Sequence, residues 1–234
     1  MQSMAQPTMR DSDGGKTWMR SAWRCLVALG FRLLYNELAW LYDPVSWLAS
    51  LGLWRRWQQT ALQFLPPRGP ILEVGFGPGH LLADLAGRGY RVVGLDLSAA
   101  MIRQAARRLQ HQGLAVPICR GSALALPFAP ETFEAVVVTF PTLYVYAPEW
   151  GSQLCRVLKP GGRAVIVEMT VFCRRDPAAR GLESLYGLTG QRGPAPDLAA
   201  SLEAAGLRAR HESVEVEGSV VRLVVAEKAN TAPA

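Results

Sequence analysis

The chain has 234 residues, half of them hydrophobic and 19% charged, and its formal net charge is +6. This length fits one domain with a short extension, and the composition is that of a globular protein able to build a core. The basic residues are mostly Arg and are interspersed with acids, so no run of like charge indicates a nucleic-acid-binding surface, and we expect no nucleic-acid partner.

The N-terminal part of the chain predicts a tail followed by helices. Residues 1–17 are polar and are expected to form a disordered tail, and residues 18–66 a helical extension that holds six of the seven tryptophans. Charged residues interrupt this extension too often for a membrane span, which needs roughly 20 mostly apolar residues. Two interpretations stay open: the helices form a lid on the domain, or they contact a membrane surface.

Residues 67–230 predict a single α/β domain, because strand-like and helical segments alternate along them. The strand-like segments are PILEV, RVVGLD, AVPICR, FEAVVVTF, RAVIVEM, RARHESVEVE and SVVRLVVAEK. The last two are joined by a short turn and should be antiparallel. The fold class is therefore a Rossmann-like seven-stranded, mostly parallel sheet with an antiparallel closing strand and helices on both faces. The segment 170–196 is less regular and is expected to be either a substrate cap or a loose loop.

A glycine-rich turn follows the first predicted strand and precedes a predicted helix. Gly75, Gly77 and Gly79 follow Glu73 in the stretch LEVGFGPGH. A strand, a glycine turn and a helix N-terminus together form a pocket for a nucleotide-like ligand. Asp96 ends the second strand, where a carboxylate can accept hydrogen bonds from both hydroxyls of a ribose. The pattern predicts a nucleoside ligand, either a dinucleotide or S-adenosylmethionine.

The spacing and charge of this turn separate the two ligands. A dinucleotide site uses G-x-G-x-x-G, and His80 stands at the position of its third glycine. Glu73 would oppose a phosphate but would favour the ammonium and sulfonium groups of S-adenosylmethionine. The electrostatics favour S-adenosylmethionine as the cofactor.

Several stretches resemble a known family, the class I S-adenosylmethionine-dependent methyltransferases. LEVGFGPGH is similar to the first motif of that family, VVGLDLSAAMI to the second, and RVLKPGGRAVIVE to the segment around the fifth strand. Together with YDPVSW, the chain most resembles the branch that includes the ubiquinone and menaquinone methyltransferases, over roughly residues 41–228.

The resemblance implies a set of cofactor-binding residues. They are Tyr42, Glu73, Gly75, Phe76, Gly77, Gly79, Asp96, Leu97, Met101, Gly121, Ser122, Ala123 and Thr139. In this set Glu73 would interact with the amino group of the methionine moiety, directly or through water. Asp96 would hold the ribose, and Leu97 and Met101 would flank the adenine. Tyr42 would close over the cofactor from the N-terminal helices.

One of these positions departs from the family pattern. The family commonly has an acid between the glycine and alanine before the fourth strand, where it binds the adenine amine. This chain has Ser122 there, between Gly121 and Ala123. We expect the adenine to be held more weakly at this corner, or by a backbone carbonyl.

The expected function is methyl transfer to a small, lipophilic or aromatic acceptor. The segment 139–142 after the fourth strand is nearly uncharged, and Tyr144 and Tyr146 follow it. The residues single out no catalytic base, and the acceptor and the oligomeric state stay open. The alternative is a non-catalytic module that binds the cofactor or has lost it. The four cysteines share no metal-ligand spacing with the histidines, so we expect no metal and a cytoplasmic location.

Overall fold

The computed structural model describes residues 13–174, 176–189 and 196–230. The helices are α1 (Asp13–Tyr35), α2 (Tyr42–Ala49), α3 (Trp54–Gln59), α4 (His80–Gly87), α5 (Ala99–His111), α6 (Pro148–Val157), α7 (Pro177–Leu188) and α8 (Leu198–Ala204). The strands are β1 (Pro70–Val74), β2 (Arg91–Asp96), β3 (Ile118–Arg120), β4 (Phe133–Thr139), β5 (Leu158–Phe172), β6 (Leu207–Val216) and β7 (Ser219–Lys228). Short 3-10 helices lie at Ala39–Leu41, Thr60–Phe64 and Leu143–Tyr146.

The described strands form one seven-stranded sheet in the order β3-β2-β1-β4-β5-β7-β6. Strands β1 to β5 are parallel to one another, whereas β7 is antiparallel to both β5 and β6. The prediction of a mostly parallel sheet with an antiparallel closing strand is therefore confirmed. The strand order reverses between β1 and β4, and ligands of such sheets bind at the carboxyl ends of the strands at this reversal.

Two apolar cores cover the two faces of the sheet, as side chains alternate along each strand. On one face, Ile71 and Val137 pack with Trp57 of α3 and with residues of α4, α5 and α7. On the other face, Leu72 and Val136 pack with residues of α6 and α8. Helices therefore lie on both faces, and the N-terminal helices extend the first of the two layers.

The N-terminal part differs in detail from the sequence-based expectation. Helix α1 begins at Asp13, inside the segment expected to be a disordered tail, and residues 1–12 of that segment lie outside the described residues. Downstream, Leu51 and Gly52 have φ angles of 52° and 82°, and this left-handed pair separates α2 from α3. Helix α1 has 23 residues, and the shorter helices α2 and α3 follow it within the range 18–66.

Within the segment 170–196, the described residues 170–174 and 176–189 are more regular than the composition indicates, and residues 175 and 190–195 lie outside the described residues. Its first residues belong to β5, and residues 177–188 form α7. The Asp176 carboxylate caps this helix by accepting a hydrogen bond from the Ala179 N–H at 3.0 Å, and Pro177 occupies the first helical position. An Asp-Pro pair is a sequence signal for a helix start that the expectation of a loose loop left unused.

Candidate cofactor site

The turn after β1 has the backbone shape that its glycines allow. Gly75, Gly77 and Gly79 have φ angles of 70°, 55° and 80°, which other residues adopt only with strain. A Cβ atom on Gly79 would lie 2.7 Å from the Cβ of Ala105, so a side chain there would push α5 away from the turn. The glycines therefore serve both the tight turn and the close packing of α5 against it.

Asp96 ties this turn to the end of β2. Its Oδ2 accepts a hydrogen bond from the Gly77 N–H at 2.9 Å, and its Oδ1 accepts one from the Ser98 N–H at 2.8 Å. Burial raises the pKa of Asp96, and the backbone hydrogen bonds act against this rise. A carboxylate has about four acceptor positions, so each oxygen can still accept a hydrogen bond from a hydroxyl group.

Glu73 is the most unusual group of the site. It is 0% exposed, and neither of its carboxylate oxygens has a hydrogen-bond partner in the part of the chain that the structure describes. Burial, followed by the nearby Asp96 and Asp84, raises its pKa well above the usual range. A buried acceptor without a partner is costly. The position fits a cationic ligand that would supply the missing hydrogen bonds.

The N-terminal helices place aromatic side chains over the cofactor crevice, which is the space between the glycine turn and the carboxyl ends of β2 and β4. The Tyr35 and Tyr42 rings have centroids 5.7 Å apart, and Tyr42 meets Trp54 edge-on at 6.3 Å. Burial, together with the charges of Asp43 and Asp96 and the neighbouring Tyr35, raises the pKa of Tyr42 well above its usual value. The Ser98 hydroxyl donates to the Tyr35 carbonyl at 2.5 Å. Tyr42 thus lies over Asp96, and Tyr35 joins it there without any signal in the sequence.

The side chains predicted to flank the adenine or to form the turn differ in their exposure to solvent. Leu97 is 66% exposed and free to contact a ligand, whereas Met101 is 1% exposed. Phe76 is also buried, and it packs against Gly94, where a Cβ atom would lie 2.7 Å from the Phe76 ring. The Phe76 side chain is therefore part of the core, and only its backbone can contribute to a cofactor site.

The corner with the altered motif is closed by local hydrogen bonds. The Gly121 N–H donates to the Asp96 carbonyl at 3.0 Å, and the Ser122 Oγ accepts from the Leu124 N–H at 3.2 Å. The Ser122 hydroxyl therefore stabilises its own turn, which also contains Ala123. It leaves less hydrogen-bonding capacity for an adenine amine than a carboxylate would.

At the end of β4 lie the predicted residue Thr139 and the segment that follows it, together with Gln58 of α3, which sequence reasoning missed. Thr139 is buried, as a predicted site residue, and its hydroxyl accepts a hydrogen bond from Gln58 Nε2 at 3.0 Å. Phe140 has a left-handed φ of 50°, and its ring centroid lies 4.3 Å from that of Trp54. The buried Tyr144 hydroxyl has no partner within the described ranges and points toward Gly75, 3.6 Å from the ideal Cβ position there.

Open cavities lie elsewhere on the surface. One of about 370 Å³ lies beside Arg107 and His111 of α5, and one of about 280 Å³ lies beside Pro67 and Tyr90. Neither cavity is lined by any of the predicted cofactor-binding residues.

Two further properties concern metal and membrane. Among the described residues, no group of three or more His, Cys, Asp or Glu side chains is arranged to hold a metal ion. No helix in this part of the chain combines the length and the apolar character that a bilayer crossing requires.

Comparison with known proteins assigns the chain to a family. Residues 71–162 match the family model described as a methyltransferase domain. The chain is 36% identical over 143 residues to the 2-phytyl-1,4-naphthoquinone methyltransferase of Thermosynechococcus vestitus, which covers 58% of this chain and 63% of that protein. It is 34% identical over 160 residues to the ubiquinone/menaquinone biosynthesis C-methyltransferase UbiE of Syntrophotalea carbinolica, which covers 66% of this chain and 67% of that protein. The matched part thus spans about two thirds of the length of these curated relatives.

Solved structures share the fold at low sequence identity. The YcgJ protein of Bacillus subtilis has a TM-score of 0.56 at 16% identity, covering 74% of this chain and 98% of that one. A phosphoethanolamine N-methyltransferase of Haemonchus contortus in complex with S-adenosyl-L-methionine has a TM-score of 0.57 at 16% identity, covering 76% of this chain and 53% of that one. With the sequence relatives, these matches show that the chain belongs to the class I S-adenosylmethionine-dependent methyltransferases, close to the ubiquinone and menaquinone branch.

Proposed function

We propose that this protein transfers a methyl group from S-adenosylmethionine to a lipophilic, quinone-type acceptor. The observation that supports this cofactor is the buried carboxylate of Glu73. It has no partner among the described residues and lies near the end of β1, just before the glycine turn. S-adenosylmethionine, when bound, supplies an electrophilic methyl group on a sulfonium and brings an ammonium group that matches this carboxylate.

The residues of the crevice would hold the cofactor in separate ways. Glu73 would accept hydrogen bonds from its ammonium group, and Asp96 would accept them from the ribose hydroxyls. The left-handed glycines let the backbone approach the ligand closely. Because the methyl donor is already activated, the chief task of the protein is to bring both reactants together in the right orientation.

The aromatic groups above the crevice support an apolar acceptor. Trp54 packs at a tilt against Phe140, and Tyr42 lies edge-on to Trp54, so aromatic rings cover this side of the crevice. Burial raises the pKa of Tyr144 and keeps its hydroxyl neutral, so it can donate a hydrogen bond to an acceptor oxygen but does not serve as a base at neutral pH. His80 is engaged with Asp43 at 2.9 Å, which gives it a structural role.

The names of the relatives support the choice of acceptor. One is named as a 2-phytyl-1,4-naphthoquinone methyltransferase and the other as a C-methyltransferase of ubiquinone and menaquinone biosynthesis. Such compounds carry an aromatic or quinone ring and a long apolar chain. An apolar crevice covered by tryptophan and tyrosine suits them better than a charged acceptor.

We further propose a cytoplasmic protein that touches a membrane surface through its N-terminal helices. Trp40 is 69% and Trp47 64% exposed, and the exposed Leu48 lies next to Trp47. The Trp23 indole of α1 donates a hydrogen bond to the Leu188 carbonyl at 2.6 Å. This bond joins α1 to the end of α7. Exposed tryptophans on a chain of net positive charge are typical of an interfacial contact with anionic lipid.

A methyl-transfer assay with labelled S-adenosylmethionine tests the proposed acceptor. A reduced 1,4-naphthoquinone with a short isoprenoid chain is offered in parallel with phosphoethanolamine, a small charged acceptor. We expect label in the naphthoquinol only. Label in phosphoethanolamine alone would contradict the proposed acceptor class, while leaving the cofactor assignment in place.

A further inference from the structure

Gln58 occupies an unusual place for a polar residue of the N-terminal helices. It lies in α3 and is only 7% exposed. Its Nε2 donates to the hydroxyl of Thr139 at 3.0 Å, at the carboxyl end of β4. This contact joins the N-terminal helices to the strand end that borders the cofactor crevice.

The carbonyl oxygen of Gln58 is left without a partner. Within the described residues, its Oε1 is buried and accepts no hydrogen bond. Buried polar atoms in proteins are nearly always hydrogen-bonded, and leaving one unpaired costs about 1–3 kcal/mol. An orphaned acceptor at the edge of a ligand crevice points to a ligand that donates to it.

Gln58 and Glu73 face the same side of the sheet. In the β1–β4 register Glu73 is paired with Val137, and Thr139 lies two residues further along β4, so Glu73 and Thr139 point to one face. This is the face on which Trp57 and Val137 pack together. The Gln58 amide, held by Thr139 through its Nε2, and the Glu73 carboxylate thus lie on one face of the sheet near the carboxyl ends of β4 and β1, and both present acceptors without partners among the described residues.

We propose that Gln58 and Glu73 together bind the ammonium group of the cofactor, so that α3 forms one wall of the cofactor site. This inference rests on the proposed function. An ammonium group has three donors and no acceptor, which matches one amide oxygen and two carboxylate oxygens. A phosphate or carboxylate in the same place would meet only acceptors.

The setting of Gln58 makes the inference testable by substitution. The neighbouring Trp57 is 0% exposed, and its indole donates to the Ser219 hydroxyl at 2.8 Å. Trp54 packs against Phe140 on the other side. These contacts hold α3 on the sheet independently of Gln58, so its variants are expected to fold.

The test is calorimetric titration of the full chain with two ligands, of which only one carries the amino-acid moiety with its ammonium group. S-adenosylhomocysteine carries the amino-acid moiety, whereas 5′-methylthioadenosine lacks it and keeps the ribose and the adenine. We expect Gln58→Met to weaken S-adenosylhomocysteine binding about tenfold and to leave 5′-methylthioadenosine binding unchanged. Gln58→Glu keeps an acceptor oxygen in the place of the amide oxygen and is expected to stay within about threefold of wild type.

The control variant is Gln63→Met, because Gln63 is exposed and lies in the 3-10 helix that directly follows α3. It is expected to bind both ligands like the wild type. Equal weakening of both ligands by Gln58→Met, no weakening of either, or a loss in Gln58→Glu as large as in Gln58→Met would each overturn the inference. A wild-type protein that binds neither ligand would instead overturn the proposed function itself.

Discussion

The carboxylate of Asp43 lies 2.6 Å from the guanidinium group of Arg108, which joins α2 to α5. The same carboxylate contacts His80 Nε2 at 2.9 Å, at the start of α4. Arg108 also donates to the carbonyl of Pro78 in the glycine turn. The helix that carries Tyr42 is therefore fastened to the turn by charged side chains as well as by apolar contacts.

Replacing Asp43 with Asn should loosen this attachment. Because Asp43 is partly exposed, solvent screens the pair and we expect a loss of about 1 kcal/mol or less in the free energy of unfolding. A several-fold loss of S-adenosylhomocysteine affinity is expected, since Tyr42 is held less firmly. Thermal melts and calorimetric titration measure both effects, and Glu212→Gln at the exposed pair with Arg210 serves as the control.

The contribution of Asp43 to the free energy of unfolding should also depend on pH. Partial burial acts to raise its pKa, but His80 and Arg108 outweigh it and lower the pKa of the carboxyl. The stabilisation is thus present above the unfolded pKa, about 4, and is lost as the pH falls through the lower folded value. The difference in stability between wild type and Asp43→Asn should shrink in this acid range; a difference that grows there would contradict the ion pair.

Glu73→Gln should make the ligand-free protein more stable at neutral pH. Burial raises the pKa of Glu73, so the folded state retains a proton that the unfolded state releases. Wild-type stability therefore falls as the pH rises from the unfolded pKa, about 4.3, through the raised folded value. Removing the titrating group should therefore stabilise the protein near neutral pH, by an amount that grows as the pH rises.

Urea denaturation at pH 5 and pH 8 checks this prediction. The advantage of Glu73→Gln over wild type should be larger at pH 8, and the variant should bind S-adenosylhomocysteine more weakly. An equal difference at both pH values would show that Glu73 does not titrate differently in the folded and unfolded states.

Vesicle co-sedimentation tests the membrane contact. The double variant Trp40→Ser, Trp47→Ser removes two of the most exposed apolar side chains of the N-terminal helices. It should sediment less with vesicles that contain anionic lipid, because both burial of the rings and attraction to anionic lipid contribute to binding. Leu143→Ser, an equally exposed apolar position outside the N-terminal helices, should leave sedimentation unchanged. Identical sedimentation of the double variant and the wild type would rule out this surface.

The sequence predicted the scaffold of the site well, because its signals are local. The bounds of PILEV and RVVGLD agree with β1 and β2, and Ser98 caps α5 with its Oγ accepting from the Met101 N–H. Apolar runs and a serine before a helical pattern require no knowledge of distant residues. Asp96 and the glycine turn follow from these bounds.

Long-range packing determined what the sequence did not predict. Phe76 turns into the core because Gly94, on the next strand, leaves room for its ring. Gln58 meets Thr139 across 81 positions of the chain, and no pattern around Gln58 distinguishes it from Gln59. Such contacts depend on how the N-terminal helices dock on the sheet, which periodicity does not determine.

The measurement that tests the central claim most directly is calorimetric titration with S-adenosylmethionine and S-adenosylhomocysteine of wild type and Asp96→Ala. Asp197→Ala, which removes the exposed cap of α8, is the control, and thermal melts confirm that each variant folds. We predict micromolar binding by wild type and Asp197→Ala, and no measurable binding by Asp96→Ala. Absence of binding to the wild type, or unchanged binding to Asp96→Ala, would contradict the assignment of this crevice as the cofactor site.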